Sequence, residues 1–184
     1  MQQPYKIPND CNFTQVIESG FGRNGSGINQ SNSCSPEIMD LNFNGIVINA
    51  PNEIIFDTDS TENNQNAIPL CGTYAHDMGV YIDTKKNFIN SIIFVVVDTK
   101  TNETWSGQIP ELQNLARKPK SISGDRKKLT LEEMKGRIIG GYFNPNIFNI
   151  TSARLYETEY IVYATVGPYK SNAITIKATK RKQK

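Results

Sequence analysis

The sequence predicts an all-β chain, and within that class an antiparallel β-sandwich with short helical turns at most. Three observations carry this. About eight apolar, β-branched runs of strand length lie between turn-forming clusters from residue 41 onward. The closing stretch 159–178 alternates with a two-residue period. Asparagine is heavily used beside 13 Gly and 9 Pro, which favour turns and disfavour helix interiors. Long helices alternating with strands, which a parallel sheet needs, are not seen in the pattern.

Residues 1–40 show no clear period and read as an irregular N-terminal arm, with the glycine-rich stretch 19–27 inside it. Leu41-Asn42-Phe43-Asn44 opens the strand pattern, Gly45 interrupts it as a bulge would, and Ile46-Val47-Ile48 continues it. Glu53–Phe56 is a second short strand, followed by a polar loop over 57–67. Ile68–Tyr74 and Gly79–Ile82 are the next strands. Ser91–Val97 is apolar on both faces, as a central strand is. A turn at 98–102 returns the chain as Thr104–Ile109, making a hairpin.

Glu111–Ala116 has the pattern of a helical turn. Thr130-Leu131-Glu132-Glu133 spells a capping box: the hydroxyl and the carboxylate three residues on each satisfy a backbone N–H of the other. Ile138–Phe143 and Ile147–Ile150 are brief apolar runs around Asn144-Pro145. Glu159–Val166, a Gly167-Pro168 turn and Ser171–Ala178 close the chain as strand, turn, strand. The core expected from these patterns is Phe43, Val47, Ile55, Leu70, Ile93, Val95, Val97, Trp105, Val162, Ala164, Ile174 and Ile176. The organisation expected is an arm (1–40), a sandwich domain (41–178) and a basic C-terminal tail (179–184).

Tyr160-x-Val162-x-Ala164 and the hairpin after it resemble the closing strands of immunoglobulin-like and fibronectin-III-like domains. The resemblance implies a sandwich scaffold, with Tyr160 as the tyrosine-corner residue whose hydroxyl bonds back to the chain at the end of the sandwich. The antibody pattern of Cys, Trp and Cys is missing around Trp105. A scaffold of this kind does not by itself imply a function.

The net charge of +2 hides an asymmetry. Residues 117–128 hold Arg117, Lys118, Lys120, Arg126, Lys127 and Lys128 against the single acid Asp125, and 177–184 hold five more cations with no acid. Eleven of 20 basic residues thus sit in two stretches, and the rest of the chain balances 9 basic against 17 acidic residues. Such clusters gain affinity for phosphate-bearing surfaces by releasing counterions. No aromatic residues interleave with the 117–128 cations, so a single-strand groove is not indicated and nucleic acid is not the expected partner.

No apolar run approaches the length of a membrane span. The N-terminal Met-Gln-Gln-Pro-Tyr-Lys has no signal-peptide core. The loop-rich, helix-poor composition nevertheless favours an extracytoplasmic setting, periplasmic or secreted. Cys11 and Cys34 lie in the polar arm and can pair across it in an oxidising compartment; Cys71 lies in an apolar run and reads as a buried thiol.

His76 is the single histidine, so any Cys-His or Ser-His scheme must use it. A small hydrolase would take Cys71 as nucleophile, His76 as base and Asp77 to orient the ring. The odd separation of Cys71 and His76 places them on opposite faces of one strand, which argues for a buried thiol and a strand-end histidine instead. Ile54–Thr61 resembles the first motif of haloacid-dehalogenase-like phosphatases, but the alternating helices of that family are missing. Asp57, Asp59, Thr61 and Asn63 alternate hard oxygen ligands, as calcium loops do; the Gly and Glu of an EF-hand are not in place. Calcium is the one cofactor considered, and none is required. The function expected is a non-enzymatic binding or assembly module, meeting a protein partner or another copy through loops or an edge strand. The alternatives are an anionic-surface or nucleic-acid binder and a Cys-His hydrolase.

Overall fold

A computed structural model describes residues 3–18, 31–57, 67–78, 88–110 and 130–181. The chain is predominantly β. Its strands are β1 (Tyr5–Lys6), β2 (Glu37–Ile38), β3 (Gly45–Asn49), β4 (Glu53–Phe56), β5 (Cys71–Asp77), β6 (Ile93–Asp98), β7 (Thr104–Gln108), β8 (Ile138–Phe143), β9 (Thr158–Val166), β10 (Tyr169–Lys170) and β11 (Ile174–Lys180). Among the described residues they are joined by three short α-helices, α1 (Phe13–Glu18), α2 (Leu131–Met134) and α3 (Ile147–Thr151), and a 3-10 turn at Phe88–Ser91.

The larger sheet has the order β4-β11-β9-β6-β7, with β10 paired to β9. The second has the order β3-β5-β8, and β1-β2 form a small ribbon. The pairing expected to be antiparallel throughout is so except at one place. β4 runs parallel to β11, so the larger sheet is mixed. The reason lies in β3 and β4, which are consecutive but belong to different sheets. After Asn49 the chain crosses over at Ala50–Asn52, where Lys177 N of β11 donates to Asn52 O at 2.8 Å, and β4 then runs beside the last strand.

Both sheets feed one core. Ile46 and Ile48 of β3, Tyr74 of β5 and Phe143 of β8 meet Phe94 and Val96 of β6, Tyr160, Val162 and Ala164 of β9 and Ile176 of β11. The Phe94 and Phe143 rings cross edge-on at 5.5 Å, a geometry that the ring quadrupoles favour. α3 seals one end over β7, so closely that a Cβ on Gly107 would lie 1.6 Å from the Ile150 carbonyl oxygen.

Two strands turn a different set of side chains to the main core from the one expected. On β4, Ile54 and Phe56 turn inward and Ile55 is exposed, on the same face as the exposed Glu53. On β6, Val95 is buried as expected, but Phe94 and Val96 fill the main core, Ile93 is exposed and Val97 half-buried. From Ile93 to Val97 β6 is apolar on both faces, and a period of two then cannot say which set faces in. Leu41, expected to open a strand, sits exposed in a turn, and Phe43 packs edge-on against Tyr5 instead.

Several local expectations are met in detail. Thr130 N donates to Glu133 Oε2 at 2.8 Å and Glu133 N to Thr130 Oγ1 at 3.3 Å, the reciprocal bonds of a capping box. The hairpin of β6 and β7 turns on Asp98, whose Oδ1 accepts from Lys100 N at 2.6 Å and Thr101 N at 3.2 Å. The Ile147–Ile150 run is a helix, α3, because Asn146 caps it through Oδ1 to Phe148 N. β11 continues past Ala178 into the stretch expected to be a tail: Thr179 and Lys180 pair with Ile55 and Phe56, and Arg181 N bonds Phe56 O. The predicted Gly79–Ile82 strand and Glu111–Ala116 turn lie outside the described residues.

Candidate functional site

The arm expected to be irregular forms short elements and folds onto the outer face of β3-β5-β8. Alternation along β5 sends Tyr74 and His76 to the core and Cys71 and Thr73 outward. Along β3 it sends Ile46 and Ile48 inward and Val47 and Asn49 outward. Thr73 Oγ1 donates to Pro36 O at 2.5 Å, and Asn49 Nδ2 donates to Cys34 O at 3.0 Å, fixing the arm against both strands. α1 starts at Asn12, whose Oδ1 accepts from Thr14 N at 3.1 Å and Gln15 N at 3.3 Å. Phe13, Val16 and Ile17, spaced three and four apart, then share one helix face and pack on Cys34, Ala67 and Cys71. That spacing was readable in the sequence. It was hidden by the short length of the helix and by the glycine-rich stretch behind it.

This packing brings all three cysteines together. Cys34 and Cys71 are fully buried, Cys11 is half-buried, and all three are free thiols. Cys34 and Cys71 lie in one buried cluster, and Cys11 packs against it. Burial pushes Cys34 well above the ordinary thiol range, helped by the neighbouring Cys11, and pushes Cys71 up to about 12. Around them, Asn32 Oδ1 accepts from Cys34 N at 2.8 Å and from Cys71 Sγ at 3.4 Å, and Asn49 Nδ2 reaches Cys11 Sγ at 3.6 Å. Cys11 also lines an open cleft of about 570 Å³ between arm and sheet, with Ile7, Pro8, Phe13, Asn49 and Pro51. Sequence reading paired Cys11 with Cys34 but set Cys71 apart. Nothing in a lone apolar run tells which face of its strand a second segment will cover.

The remaining candidates are placed as follows. Cys71 and His76 stand on opposite faces of β5, five residues and therefore roughly 16 Å of strand apart. His76 is buried on the core side, where its ring stacks on Phe88 at 3.9 Å and its Nδ1 donates to Asp77 O at 3.1 Å. The Asp77 carboxylate accepts from Gly136 N at 3.0 and 2.9 Å and so anchors the turn into β8. This arrangement joins no nucleophile to a base. Asp57 closes β4, while Asp59, Thr61 and Asn63 lie outside the described residues, as do Arg117, Lys118, Lys120, Arg126, Lys127 and Lys128. Among the described residues no group of three or more His, Cys, Asp or Glu side chains is disposed to hold a metal ion. No described helix is long and apolar enough to cross a membrane. No family model matches the chain, and neither a curated protein nor a solved structure matches it.

Proposed function

We propose that this protein is a non-enzymatic assembly module on an immunoglobulin-like β-sandwich, and that it pairs through the edge of β8 with the same strand of a second copy. Three features support the scaffold. The consecutive strands β3 and β4 divide between the two sheets, with β4 parallel to the last strand, β11. The order β4-β11-β9-β6-β7 opposes β3-β5-β8 around one core. Tyr160, near the start of β9, donates its hydroxyl to Arg154 O six residues upstream at 2.6 Å, as a tyrosine corner does.

The observation that carries the contact is the character of β8. It is Ile-Ile-Gly-Gly-Tyr-Phe, with no charge and no proline, and among the described residues only β5 pairs with it. Ile138 and Ile139 are 44% and 41% exposed. Successive residues point to opposite faces, so this half of the strand overhangs the core on both sides. Edge strands are ordinarily blunted by charge or proline; an unblunted one offers its free N–H and C=O row to another strand. An identical strand meets no like-charge repulsion there.

Sedimentation velocity over a wide concentration range tests this. The wild-type chain is expected to associate as concentration rises. Ile139→Lys is expected to stay monomeric with an unchanged melt, because the side chain it replaces is exposed. A wild-type chain that is monomeric at every concentration overturns the proposal, as does undiminished association of the variant.

A further inference from the structure

We propose that Cys11, Cys34 and Cys71 form a thiol–disulfide exchange site in which Cys34 is the shared partner, Cys11 is the entry thiol, and a low-molecular-weight disulfide is the oxidant. The inference rests on placement and not on the assembly reading above. Three sulfurs from three separate segments converge in one satellite core. Cys34 and Cys71 share one buried cluster against which Cys11 packs, and Cys11 lines the cleft. Two exposures differ: Cys11 is reachable from solvent, whereas Cys34 and Cys71 are shielded by α1 and the Asn32–Ser35 turn.

The steps balance without another reagent. The Cys11 thiolate attacks one sulfur of the oxidant RSSR. The oxidant S–S bond breaks, a Cys11–S–S–R bond forms, and RS⁻ leaves and takes up the proton that Cys11 gave to solvent. Cys34, on losing its proton, attacks Cys11 Sγ. The mixed disulfide breaks, the second RSH leaves, and Cys11–Cys34 closes the arm on itself. Two protein thiols have lost two electrons, and RSSR has become two RSH. Cys71 can next attack Cys34 Sγ, which frees the Cys11 thiol and gives Cys34–Cys71 with no net oxidation. That bond ties the arm to β5.

The experiment treats the full chain with glutathione disulfide, traps remaining thiols by alkylation and maps the peptides by mass spectrometry. For wild type the expected result is loss of two thiols without retained glutathione, with Cys34 in every disulfide found. Cys34→Ser and Cys34→Ala are expected to stop at a glutathione adduct on Cys11. Cys11→Ser is expected to slow oxidation about tenfold or more, since the remaining thiols are shielded. Wild-type mapping decides the matter even if a variant fails to fold. A persistent glutathione adduct on the wild-type chain, a Cys11–Cys71 bond, or three thiols left unreacted would each overturn the proposal.

Discussion

Asn172 holds Ile48 as another strand would: Ile48 N donates to Asn172 Oδ1 at 2.9 Å, and Asn172 Nδ2 donates to Ile48 O at 3.0 Å. A primary amide carries the donor and acceptor of a peptide unit on one side chain. Placed just before β11, it therefore extends the hydrogen bonding of one sheet onto β3 of the other. Ile48 is fully buried, so neither of its backbone groups has water as a substitute. Asn172→Ala is expected to lower stability by about 2–3 kcal/mol by leaving both unpaired. Asn172→Asp keeps the acceptor and loses the donor, and should fall between. Urea titrations of the three chains check the order.

Tyr160 makes the corresponding tie at the other end of the core. Its ring is fully buried, its hydroxyl donates to Arg154 O at 2.6 Å, and the same oxygen accepts from Tyr156 N at 3.2 Å. Burial pushes the phenol up to about 12, so it remains a donor throughout the usual pH range. Tyr160→Phe preserves the packing and strands both partners. The expected loss is about 1–2 kcal/mol, measured as a shift of the denaturation midpoint at unchanged m-value.

Asp98 links this corner to the β6–β7 hairpin. It is buried, and its carboxylate accepts from Thr158 Oγ1 at 2.9 Å, from Lys100 N and Thr101 N, and from Tyr156 Oη. Burial alone would raise its pKa. The bonds from Tyr156, Lys100, Thr158 and Thr101 outweigh burial and hold it at about 2, below the ordinary 3.8. A depressed carboxyl contributes stability that is complete above its unfolded pKa and is lost as pH falls through the folded one. The window is therefore from about pH 4 down to about pH 2. Asp98→Ala should cost about 3 kcal/mol at neutral pH. It should also flatten the acid limb of a melting-temperature profile within that window.

The same residues show what was legible beforehand. The Ser91–Val97 and Thr104–Ile109 hairpin, the capping box at Thr130 and the closing strands were readable because each is set by local chemistry. Tyr160 was singled out differently, by the resemblance of the closing strands to immunoglobulin-like domains. The inward face of β6 was not readable, because Ile93–Val97 carries no polar alternation to choose a side; on β4 the single cue was Glu53, which shares the exposed face of Ile55. Asn172 read as part of the closing strand and Asp98 as an ordinary turn residue, since their partners lie 124 and up to 60 positions away in sequence. The cysteine cluster failed to show for a related reason. Cys71 becomes a neighbour of Cys34 only after the arm has covered the outer face of β5, and no pattern within the arm announces that docking.

His76 gives a second pH response, separate from that of Asp98. Burial against Phe88 and Tyr74 lowers its pKa below the ordinary 6.5, and the Nδ1 bond to Asp77 O with the Asp77 charge opposes that only in part. The folded chain then binds fewer protons than the unfolded chain just below pH 6.5. Stability is complete above that value and declines as pH falls toward the lowered folded pKa, below which the loss stops growing. His76→Phe keeps an aromatic ring in the stack and removes the titration. The expected outcome is a wild-type melting temperature that begins to fall just below pH 6.5 and a variant that is flat there. Both chains should still lose stability further into acid, where Asp98 protonates. Parallel profiles for wild type and variant between pH 7 and pH 5, about the span in which a histidine acts, would mean that His76 is equally free to charge in both states. The stacked, buried environment of the ring would then not lower its pKa.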